Sequence, residues 1–69
     1  MRAKITGQKD SILRLKHLLA APEAEFIDKE ITLADDKFGE LLNKITDLGF
    51  HIQCWYHKED TRFIFRIWL

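Results

Sequence analysis

The side chains with the most reactive chemistry in this sequence are one cysteine, three histidines and eleven carboxylates. A nucleophilic thiol needs a histidine within reach and surroundings that favour the thiolate. Residues 51–57 alternate in polarity as a strand does, which sets Cys54 on one side and His51 and His57 on the other. Neither histidine can then take the cysteine's proton, and only His17, on a separate helix, is left as a partner. As metal ligands, His51 and His57 would stand roughly 20 Å apart along a strand, too far to share an ion. Asp28 and Glu30 share a face, but paired carboxylate catalysis needs a cleft that an open sheet does not provide. No glycine-rich phosphate loop or nucleophile elbow is present. The expectation is a protein with no enzymatic activity, no cofactor and no metal.

A different set of residues carries recognition chemistry. Trp55, His57, Arg62, Ile64, Arg66 and Trp68 fall on one side of two alternating segments, 51–57 and 62–69. Tryptophan and arginine dominate the energetics of protein interfaces, and an apolar patch on a small domain commonly marks one. Tryptophans on an open sheet also stack on unpaired bases while cations follow the phosphates. Equally, cross-strand pairs such as Trp55–Ile64 stabilise a sheet by about 0.2–1 kcal/mol each with no function attached.

The elements that must position these residues are legible in the periodicity. Residues 1–6 alternate, with Met1, Ala3 and Ile5 on one side, and Gly7 ends the strand. Asp10 is the candidate N-cap of a first helix bearing Ile12, Leu15, Leu18 and Leu19, which Ala20-Ala21-Pro22 terminates. Residues 25–33 alternate again and predict a second strand, with Asp28 and Glu30 on its outer side; if this segment is loop, three strands remain. A second helix starts at Thr32 or at Ala34-Asp35 and carries Ala34, Phe38, Leu41, Leu42, Ile45 and Leu48. Gly49 followed by Phe50 is a helix-stop signal, and Gly39 interrupts the helix at a cost of about 1 kcal/mol relative to alanine.

Residues 51–69 form the clearest unit, a β-hairpin turning at Glu59-Asp60. The pattern specifies the parity of the register and leaves a shift by two residues open; folded at that turn, it pairs Tyr56 with Phe63, Cys54 with Phe65 and Ile52 with Ile67 on the core side. Trp55 with Ile64, Gln53 with Arg66 and His51 with Trp68 then lie outside. Asp28 and Glu30 are placed to neutralise Arg62 and Arg66 across the sheet. Leu69 falls within the final strand, whose free edge is expected to be open to pairing.

The fold class is therefore α/β (α+β): a two-layer sandwich of order β-α-β-α-β-β, with both helices on one face of a small mixed sheet that ends in an antiparallel hairpin. Helix-linked strands are expected to pair in parallel. The chain of 69 residues has room for one domain, 1–69, whose core is thin and which has no disulfide or zinc staple. Eleven basic residues balance eleven acidic ones, which excludes a non-specific nucleic-acid coat. No signal peptide or membrane span is present, and one lone cysteine suits the cytoplasm. The expected role is a cytoplasmic interaction or regulatory module that binds a protein partner, or its own copy, through the outer sheet face and the hairpin. Single-stranded nucleic acid is the alternative ligand; no membrane or small-molecule partner is indicated.

Overall fold

The computed structural model describes residues 1–20 and 22–69. Along them run β1 (Arg2–Gly7), α1 (Lys9–Leu18), a 3₁₀ turn (Glu23–Phe26), β2 (Glu30–Thr32), α2 (Asp35–Asp47), β3 (His51–His57) and β4 (Arg62–Trp68). The expected β-α-β-α-β-β order holds. Both helices pack their apolar stripes against one face of a mixed four-stranded sheet, burying Ile12, Leu15, Phe38, Leu41 and Ile45 with Ala3, Ile5, Phe65 and Ile67.

α2 begins after Ala34, with Asp35 and Asp36 at the positive end of its dipole. It stops as the sequence requires. Gly49 takes the left-handed conformation at φ +96°, its N–H donates to the Thr46 carbonyl (3.0 Å) and the Phe50 N–H donates to that of Ile45 (3.4 Å). That pair of bonds is the Schellman stop, and Phe50 follows Ile45 into the core. Ala34, expected on the apolar stripe, is exposed as the helix cap.

α1 departs from expectation at both ends. Its cap is Gln8, in extended backbone and without a side-chain bond, so Asp10 lies inside the first turn rather than capping it. Leu18 is exposed because it lies roughly 120° around the helix from the buried Ile12, beyond the edge of the stripe. The helix ends at Leu18, and Leu19 turns into extended backbone. Of the expected terminator, Ala21 lies outside the described residues.

Residues 25–33 do not form one strand. The chain arrives beside β1 through a single parallel bridge, Ile5 to Ile27, as a helical crossover should. Asp28 then adopts the left-handed conformation, φ +63°, which aspartate tolerates better than most residues. The chain reverses there, and only Glu30–Thr32 pairs with β1, antiparallel, with Ala3 opposite Ile31. Asp28 thus lies outside the strand assigned to it, and β1 and β2 are not parallel.

The sheet order is β2-β1-β4-β3. β4 lies parallel to β1, with Ile5 opposite Phe65, and antiparallel to β3. The final strand is therefore interior, and its expected open edge is already paired; the hairpin's edge is β3. The hairpin register is the expected one at every pair from His51–Trp68 to Tyr56–Phe63, and His57 pairs with Arg62 beyond them. The helices cover β3 only in part, however: α2 contacts it and Ile52 packs against the core. Cys54 and Tyr56, on the helix side, are exposed and Ile52 is half-buried, so Cys54 is not the core residue its parity suggested.

Candidate interaction surface

The strand pairings assemble the outer face row by row. One row runs Glu30, Lys4, Ile64, Trp55; the next runs Thr6, Arg66, Gln53; Trp68 and His51 complete it at one end and Arg62 and His57 at the other. All six candidate binding residues thus share the face that no helix covers. Four of them are exposed: Trp55 (41%), His57, Arg66 and Trp68 (40%). Ile64 is buried without joining the helix-side core, held under its neighbours in the row.

Local contacts hold the aromatic rings in place. Trp68 stacks on His51 with ring centroids 5.5 Å apart. The Trp55 indole N–H donates to Nε2 of His57 at 3.0 Å, two residues along the same strand. The His51 stack covers part of one face of Trp68, and both indoles remain about two-fifths exposed to water.

The cations divide into two groups. Glu30 accepts from Arg2 and, at 2.8 Å, from Nη1 of Arg62, so one carboxylate occupies two guanidinium groups. The Arg2 hydrogen bond foremost, with Arg62 beside it, holds the Glu30 carboxyl below the usual carboxylate range. Arg2 also donates to the Asp60 carbonyl (3.0 Å), and the Asp60 carboxylate lies 3.6 Å from Arg62, tying the hairpin turn to this network. The expected pairing of Glu30 with Arg62 is present; that of Asp28 with an arginine is not, because Asp28 accepts instead from the Thr6 hydroxyl at 3.4 Å.

Arg66 has no acidic partner among the described residues. It lines an open groove of about 530 Å³ with Gln53, Trp68, Gln8 and Ser11, where the end of β4 passes the first turn of α1. Gln53 belongs to the hairpin register, but Gln8 and Ser11 enter only because β4 lies beside β1, a long-range pairing with no local signal.

The remaining chemistry is sparse. Burial pushes the Cys54 thiol pKa up, away from the reactive thiolate, although the residue as a whole is exposed. Among the described residues no group of three His, Cys, Asp or Glu side chains is placed to hold a metal ion, and no helix is long and apolar enough to cross a membrane. No protein-family model matches the chain, and no curated protein or solved structure is detectably similar to it.

Proposed function

We propose that the chain is a cytoplasmic interaction module that binds a partner protein through the outer face of its hairpin. The observation that carries this is two half-exposed tryptophans, Trp55 and Trp68, flanking Arg66, a cation without an acidic partner among the described residues, on a sheet face that no helix covers. A buried contact there would desolvate both indoles, and a carboxylate on the partner would satisfy Arg66. The free thiol supports a reducing compartment. Replacing Trp55, Arg66 and Trp68 together with alanine should abolish capture of the partner on immobilised protein while the circular dichroism spectrum stays that of the folded chain. Retention of the partner by the triple variant removes the face as the site.

Single-stranded nucleic acid is a second reading, favoured by the same placement of a cation between two exposed indoles. Against it, Glu30 already occupies Arg2 and Arg62, which leaves Lys4 and Arg66 as the cations in these rows without an acidic partner among the described residues. Titration with short oligonucleotides at low and moderate salt separates the two, since phosphate contacts must weaken as salt rises.

A further inference from the structure

β3 is the long open edge of the sheet. Its residues His51–His57 pair with β4 without a break, and all but Ile52 are exposed. Natural edges are guarded by shortness, proline, bulges or inward charge. β2, at the other edge, is three residues long. β3 has none of these guards: its sequence, HIQCWYH, holds no proline and no Asp, Glu, Lys or Arg.

That sequence is also self-complementary. Antiparallel pairing of two β3 strands about Cys54 aligns all seven residues. Cys54 meets its own copy, Gln53 meets Trp55, Ile52 meets Tyr56 and His51 meets His57. Ile52, Cys54 and Tyr56 from both copies then form one apolar row on the helix side, and the polar-aromatic row lies outside. A shift of one residue would set Cys54 against Gln53 and put the two helix layers on opposite sides of the joined sheet. Two further observations favour a second copy over another occupant. Cys54 and Tyr56 (49%) stay exposed on the helix side although α2 contacts β3, so the apolar row at the edge is open to the same row of a second copy. The net charge of zero gives two copies no overall repulsion.

We propose that the chain forms a symmetric homodimer by antiparallel β3–β3 pairing about Cys54, joining two four-stranded sheets into one of eight strands. The dimer uses the strand's edge, not the outer face, so it goes beyond the function proposed above and does not depend on it.

Sedimentation equilibrium across a wide concentration range tests the pairing. The wild-type mass should rise from 8.2 kDa towards twice that value. Cys54→Lys, which sets two ammonium groups opposite each other on the dyad, should stay monomeric at every concentration. Amide exchange in the wild type gives a readout that needs no variant: β3 amides facing the open edge should gain protection as concentration rises. A wild-type mass fixed at 8.2 kDa, a folded Cys54→Lys protein that dimerises like the wild type, or β3 protection independent of concentration would each overturn the proposal. A paired variant, Arg66→Ala with Trp68→Ala, keeps the two surfaces distinct: it should lose the partner protein and keep the dimer, and loss of the dimer would place self-association on the face instead.

Discussion

At the scale of single residues, Gly7 at the end of β1 and Gly39 within α2 make opposite demands. A Cβ on Gly7 would lie 2.7 Å from the Ile67 carbonyl oxygen, a backbone atom held by the β1–β4 pairing, and 3.2 Å from the Ile67 side chain. Gly7→Ala must therefore push the two strands apart, and denaturant unfolding should show a loss of stability. Gly39 has open space where its Cβ would be, on the exposed side of α2. Gly39→Ala should raise stability by about 1 kcal/mol, the propensity difference within a helix. Glu30 sets a pH dependence whose sign follows from its partners. Its folded-state pKa is depressed, by Arg2 first, so its contribution is present above the unfolded value and is lost as pH falls through the folded one. Acid titration of stability should thus be steeper in the wild type than in Glu30→Gln below about pH 4.3, the ordinary value for glutamate. Equal slopes would show that the Arg2–Glu30–Arg62 bridge contributes nothing measurable.

At the scale of elements, the hairpin divides its load unequally between its strands. β4 is interior and its Phe65 is buried, stacking with Phe38 of α2 at 6.0 Å and with Phe63 at 6.2 Å. Phe65→Ala should cost about 3–5 kcal/mol, near the whole stability of so small a domain, so the expected outcome is a largely unfolded chain by circular dichroism. Tyr56 touches Phe63 across the ladder but stays exposed, and Tyr56→Ala should cost about 1 kcal/mol or less in the monomer. The same contrast separates what the sequence reveals from what it conceals. The parity of the hairpin register is a local pattern, period two on both sides of a polar turn, and the structure selects the pairing centred on that turn over a shift by two residues. The stop of α2 is equally local, one glycine and the phenylalanine after it. Residues 25–33 mislead because their alternation continues through Asp28, where a left-handed residue reverses the chain, and one aspartate signals that only weakly. Strand order has no local signature at all. The interior position of β4, and with it the exposure of Cys54 on an edge strand β3, follows from which strand β1 selects as its neighbour. The site shared this mixture: all six residues belong to the expected face, but the loss of Arg62 to Glu30 and the joining of Arg66 to Gln8 and Ser11 depend on contacts distant in sequence.

At the scale of the whole molecule, compactness and a thin core meet at the open edge. The radius of gyration, 11.2 Å, is that of a fully collapsed chain of this length. Collapse has nonetheless left Trp55, Tyr56 and Trp68 among the exposed large apolar side chains, all of them on the hairpin. A domain of this size has little stability in reserve, so an association that covers such groups adds a large fraction of the total. Because the folded dimer dissociates on unfolding, mass action makes its midpoint depend on concentration. A tenfold increase in protein stabilises the dimer by about 1.4 kcal/mol, half of it per chain, and each kcal/mol moves the midpoint of a domain this small by about 4–8 °C. The wild-type melting temperature should therefore rise by about 3–6 °C per decade of concentration once the dimer is populated, measured by calorimetry. Cys54→Lys should melt at one temperature throughout, because a monomer has no such term. A wild-type midpoint that does not move with concentration would leave β3 an unpaired edge in solution.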